Sequence, residues 1–285
     1  MLEYWTSQLL NGLSFGMLLF FLAAGLTLTL GVMRVVNLTH GSFYLLGAYT
    51  ALELMGHGSN FFVASLGAAA VMVVLGAVVF GLLRLVGADP LRQTLLTLGL
   101  VLIVADLALA RWGGSPMSIT KPSFLTGLIE IGGFAYPSYR LFIIVLGLLL
   151  AISLGLLQRY TIVGAAVRAV ADDIEMAGGV GLHAPAIAMM AFLTGAALAG
   201  VSGAVGGAMI GAYPGADIQV LLLALIIVII GGMGSLAGSF VGALVVGIVD
   251  TLGRVLVPQI GASLMFLLML LTLILRPQGL FGRAE

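Results

Sequence analysis

The chain has 285 residues, 61% of them hydrophobic and 8% charged, with a formal net charge of zero. So few charges cannot clothe a soluble domain of this size, and the sequence reads as a polytopic integral membrane protein whose spans fill most of its length. Zero net charge leaves no electrostatic footprint for nucleic acid, and the lack of cysteine excludes disulfides, thiolate metal sites and cysteine catalysis.

In chain order, MLEYWTSQLLNG lacks a basic segment and a small-residue cleavage site, so no cleaved signal peptide is expected. Apolar runs follow at about 9–32, 41–55, 61–85, 94–110, 141–157 and 185–210. The second is short for a span. Residues 111–140 form a long connector whose Pro116, Pro122 and Pro137 argue against a continuous helix. Phe124, Ile129, Ile131 and Phe134 would let that connector lie on the membrane surface. Residues 211–217 read as a turn. The apolar stretch after it is too long for one straight span, and Gly231, Gly232, Gly234 and Ser235 interrupt its middle. It reads as two half-length or tilted helices joined at these glycines. A last run covers 263–275. The expectation is an all-α fold, one transmembrane domain over 1–285, with eight or nine transmembrane or half-membrane helices. The 41 glycines suit close helix packing and broken helices.

Residues 158–183 are a polar island. Val163, Ala166, Val167, Val170, Ile174 and Ala177 recur at helical spacing on one face, and Arg168, Asp172 and Glu175 lie opposite. Gly178, Gly179 and Gly181 loosen its end, and Pro185 opens the next helix. Placing this island inside the cell puts Arg34, Arg84, Arg92, Arg159, Arg168, Arg276 and Arg283 inside and Arg111, Lys121, Arg140 and Arg254 outside. Seven against four is the better of the two orientations. The connector is then external, the N-terminus outside and the C-terminus inside. GSF recurs at Gly41 and Gly238, each beside a helix break, a hint of an internal repeat.

Asn37, Thr39, His40 and Ser42 are polar groups between apolar runs. A broken helix there would offer free N–H groups to a substrate carboxylate, and helix capping explains the same residues equally well. Gly231 to Ser235 is a second candidate for the path, against the alternative of close packing. Asp106 and Glu53 fall near outer helix ends, where surface pairing is the simpler reading; for Asp106 the neighbour in sequence is Arg111. His40, His57 and His183 lie on different loops without ligand spacing, so no metal site and no cofactor is expected.

Glu175, Ala177 and Gly181 form E-x-A-x-x-x-G, which resembles the E-A-A-x-x-x-G signature of bacterial ABC importer permeases, with Met176 departing from it. RVVNLTHGSFYLLGAY from Arg34, RAVADDIEMAGGVGL from Arg168, GGMGSLAGSFVGA from Gly231 and RPQGLFG from Arg276 occur in order. Together they resemble the branched-chain (hydrophobic) amino-acid ABC transporter permease family over nearly the whole chain. The resemblance implies an inner-membrane importer subunit working with two cytoplasmic ATPases, a second permease subunit (a paralogue) and an external solute-binding protein. It implies no hydrolysis by this chain, in keeping with the missing G-x-x-x-x-G-K-[ST] phosphate loop. It also implies an ATPase contact at Arg168, Asp172, Asp173, Glu175, Ala177 and Gly181. Paralogous import of urea or amides is the related alternative. A stand-alone secondary transporter would require paired charges at mid-membrane, and a membrane enzyme a polar catalytic cluster; neither is visible in the sequence.

Overall fold

The computed structural model describes residues 1–261 and 263–282. The side chains of Leu2 and Ile131, and Arg283 from the charge count above, lie outside the described residues. The helices are α1 Leu2–Met33, α2 Thr39–Gly56, α3 Phe61–Val86, α4 Pro90–Trp112, α5 Ser138–Tyr160, α6 Ile162–Asp172, α7 Ile174–Gly179, α8 Ala184–Gly207, α9 Ala216–Gly231, α10 Leu236–Leu256 and α11 Ser263–Leu275. Six are long and apolar enough to cross a membrane; α9 and α11 are shorter apolar helices. The apolar runs set these elements because in hydrocarbon only an internally bonded backbone is tolerated.

Helix α1 is the axis of the bundle. It packs on α10, α8, α5 and α9, and its central stretch from Met17 to Leu26 is buried. Glycine permits this. Gly12 and Gly16 lie against α10, where a Cβ at Gly12 would sit 2.8 Å from the Ile248 Cα. Gly25 meets Gly195 of α8 just as closely. Small residues four apart let backbones approach, and van der Waals packing is the main force between helices in lipid. The outward faces of α3, α4 and α5 carry exposed Val74, Leu102 and Ile152, the apolar cover a lipid-facing surface needs.

Two termini sit deep in the bundle. Arg34 ends α1 in the left-handed region (φ 54°), and the chain turns back so that α2 starts beside the middle of α1. His40, second in α2, reaches the Leu22 carbonyl, 11 residues or about 16 Å from the Met33 end. The start of α9 meets α2 there: a Cβ on Gly41 would be 3.0 Å from the Leu221 Cβ. The second run, short by sequence, is thus an 18-residue helix that begins within the bundle. GSF occupies the third to fifth positions of both α2 and α10, an equivalent register.

The connector is irregular, as its prolines required, but it also contains a hairpin. Strand β1 (Leu128–Ile131) pairs antiparallel with β2 (Phe134–Pro137) around Gly132 and Gly133, both at positive φ. Met117 pairs with Ala212, and Ile119 is buried against α8, so the connector is fastened to the bundle. Phe124 and Ile129 are exposed, and Phe124 stacks on Phe62 at 6.2 Å.

Candidate functional site

The polar island does not form one helix. It breaks at Asp173, whose backbone is extended and whose Oδ1 accepts from the N–H groups of Glu175 (2.9 Å) and Met176 (3.0 Å). A short acidic side chain competes with the helix for its own backbone, so Asp173 ends α6 and caps α7. The single charged face expected for Arg168, Asp172 and Glu175 is therefore corrected to two short helices meeting at an elbow. The expected apolar face is also shorter: Val170 and Ala177 are buried, while Val163 (44%) and Ile174 (57%) are exposed.

Each residue of the E-x-A-x-x-x-G motif has a local reason. Glu175 lies in the first turn of α7, where a negative charge suits the helix dipole. Ala177 is buried with Val32, Val170, Ala184 and Ala191. Gly181 has φ +88°, and the Leu182 N–H bonds back to the Ala177 carbonyl at 3.0 Å, a glycine-closed helix end. Met176, the departing residue, is 71% exposed and free of packing demands. Asp172, Asp173 and Glu175 are exposed; Arg168 is half-buried.

The elbow is tied to the bundle by Arg34, which the sequence reading used for orientation and as the start of a family block but not as a contact. Its Nη2 donates to the carbonyls of Ala171 (3.0 Å) and Asp172 (3.2 Å), the last turn of α6. A cation at a helix C-terminus is favourable, and here it joins the end of α1 to the elbow.

The second constellation surrounds the deep start of α2. Asn37 Oδ1 accepts from the Thr39 N–H (3.1 Å) and the Thr39 hydroxyl (2.5 Å), a local turn one residue ahead of the Leu38 N-cap of α2, which has no side-chain cap bond. His40, Thr39 and Ser42 are fully enclosed, and the His40 Nε2–H donates to Leu22. His40 is thus a buried hydrogen-bond donor near the start of α2, not the loop residue of the sequence reading. Asn37 Nδ2, His40 Nδ1 and Ser42 Oγ have no partner. Asp217, missed by the sequence reading as part of a turn, joins them. It is 1% exposed; Oδ1 accepts from the Gly215 N–H, and Oδ2 has no partner. The signal was there, since Asp217 is the one charge in α9, whose other residues are apolar except Gln219.

Gly231, Gly232, Gly234 and Ser235 are not brought to that constellation. They lie at the Arg34 end, where Gly234 approaches Gly31. The Ile230 and Gly231 carbonyls accept from the N–H groups of Leu280 (2.8 Å) and Phe281 (3.0 Å). RPQGLFG therefore wraps the glycine break, where Gly232 and Gly234 have φ of 99° and 80° and Ser235 caps α10. At the opposite end Arg111 pairs with Glu53 at 3.1 Å, not with Asp106, and Trp112 Nε1 donates to the same carboxylate at 2.9 Å.

Comparison with known proteins accounts for this arrangement. Residues 8–275 match the model of the branched-chain amino acid transport system permease component. The chain is 26% identical over 302 residues to the high-affinity branched-chain amino acid transport system permease protein LivH of Escherichia coli K12, covering 99% of this chain and 97% of that one. It is 27% identical over 298 residues to BraD of Pseudomonas aeruginosa, with the same coverage. It is 26% identical over 283 residues to the probable LivH of Methanocaldococcus jannaschii, covering 93% and 89%. A match spanning the deep α2, the elbow and the glycine break together leaves one assignment: the chain belongs to the branched-chain amino acid permease family of ABC transport systems, as a multi-pass protein of the inner membrane.

Proposed function

We propose that this chain is one permease subunit of an ATP-driven importer for branched-chain and related apolar amino acids. It pairs with a second, paralogous permease, two cytoplasmic ATPases and an external solute-binding protein. The observation that carries this reading is the elbow. Its inner side is packed into the bundle, while Asp172, Asp173, Glu175, Ile174, Met176 and Val180 stand exposed. Exposed apolar side chains beside acids at a bundle end suit a protein partner better than water. ATP-driven closure of the partners moves α6 and α7 together, and Arg34 passes that motion to α1.

The test is uptake of radiolabelled leucine and urea by vesicles holding the assembled transporter, with and without ATP. ATP-dependent leucine uptake is expected. Urea uptake in its place would move the substrate class. ATP-independent uptake driven by an ion gradient would turn attention to the buried Asp217 and a secondary transporter.

Arg34→Ala is expected to leave ATPase copurification unchanged and to slow uptake several-fold. The two lost bonds are exposed and contribute about 1 kcal/mol together, enough to loosen the elbow without unfolding the bundle. Wild-type uptake by this variant would remove Arg34 from the coupling route.

A further inference from the structure

The end of the bundle opposite the elbow holds a cavity of about 300 Å³ between the N-terminal parts of α1 and α5 and the C-terminal ends of α8 and α10. That volume is at the small end of ligand sites, which run from about 300 to 1,000 Å³, and suits a single amino acid better than a larger solute. Its charges do not cancel. Asp250 is 5% exposed and accepts from Arg254 Nε (3.0 and 2.9 Å) and Nη2 (2.8 Å), so that pair is closed on itself. Arg140 has no acid. Its Nη1 donates to the neutral Asn11 Oδ1, which also accepts from the Tyr136 hydroxyl at 3.1 Å. Among the described residues no salt bridge includes Arg140. A half-buried guanidinium with five donors, whose hydrogen-bonding neighbours are the neutral Asn11 amide oxygen and Tyr136 hydroxyl, is left without a carboxylate. Phe15, Met209 and Val255 supply apolar wall beside it.

We infer that this cavity is an entry site for the substrate and that Arg140 receives its carboxylate, with the apolar side chain against Phe15, Met209 and Val255. The inference rests on the importer reading above and deepens it, because it separates two substrate classes that the same machinery serves. An amino acid carries a carboxylate for Arg140; urea and amides carry none. A bidentate guanidinium–carboxylate contact would discriminate between them where shape and apolar packing cannot.

The experiment uses the complete transporter in vesicles, with its ATPases, second permease and binding protein. Two variants are compared with the wild type. Arg140→Gln removes the cation. Asn11→Asp keeps the acceptor that holds Arg140 and Tyr136 but places a carboxylate beside the guanidinium, neutralising it from within. If Arg140 served only to hold the helices, Asn11→Asp would strengthen its bond and leave transport intact. As the carboxylate site, both variants should raise the apparent KM for leucine by about tenfold or more, the scale of a charge-assisted pair. Leucinamide, which lacks the carboxylate, should compete poorly in the wild type. Where Arg140→Gln does not fold, Asn11→Asp alone carries the result. An unchanged leucine KM in Asn11→Asp overturns the inference and leaves the importer reading standing. Weakened docking of the unliganded binding protein in the variants overturns it too, by assigning Arg140 to that contact. A wild type that takes up no leucine with ATP present removes the importer reading and this inference with it.

Discussion

Glu175→Arg is expected to abolish ATP-dependent uptake while the permease still folds. Three exposed acids, Asp172, Asp173 and Glu175, crowd the elbow, so an ATPase docking there as proposed would need a basic or donor-rich surface. Reversing one charge of that patch puts like charges together at the contact, a cost of several kcal/mol and therefore a loss of association of 100-fold or more. The local cost is much smaller. A cation in the first turn of α7 opposes the helix dipole by about 0.3–1 kcal/mol, and Glu175 makes no packing contact that the substitution would break. The two magnitudes predict a clean separation: normal elution of the detergent-solubilised permease, with no ATPase copurifying and no uptake. Undiminished copurification would show that the elbow is not the docking surface.

Gly203→Val should instead prevent the bundle from assembling. Gly203 lies at the α2–α8 contact, where a Cβ would be 2.7 Å from the Ala48 N and closer still to the Tyr44 carbonyl. Both neighbours are backbone, so no rotamer change relieves the clash; α2 as a whole must move. Overpacking of this kind costs about 3 kcal/mol or more, a large part of the stability of any fold. Gly81 of α3 is the control, because a Cβ there meets nothing within 4 Å. Gly81→Ala should be neutral or stabilising by about 0.5–1 kcal/mol through helix propensity. Thermal unfolding of the two solubilised variants checks the pair. Equal melting temperatures would refute close backbone packing as the force between α2 and α8.

A third class of residue sits between these extremes. Asn37, His40, Ser42 and Asp217 are enclosed, and each leaves a polar atom without a partner. An unmatched polar group in an apolar interior costs about 1–3 kcal/mol, so four in one region are not explained by packing alone. Under the importer reading proposed above they would line a path that opens when the elbow moves.

The apolar runs were legible because hydropathy and helix formation are local; each run became a helix, and apart from α1, which starts seven residues earlier than expected, the ends fall within a few residues. The break at Gly231 to Ser235 was legible for the same reason, as were Ala177 and Gly181, whose demands are for a small side chain and a positive φ. The split at Asp173 was also local, but helical periodicity outweighed a single capping acid in the reading. What the linear pattern could not supply was partnership. Arg34 finds α6 across 137 residues, Arg140 finds Asn11 across 129, and the tail that follows α11 returns to close over Gly231. Depth was hidden too: His40 and Asp217 look like loop residues until the deep starts of α2 and α9 carry them inward. Burial and pairing are properties of the packed assembly, where distant segments exclude lipid and water from one another, whereas the spans follow from each segment's own need to satisfy its backbone in hydrocarbon.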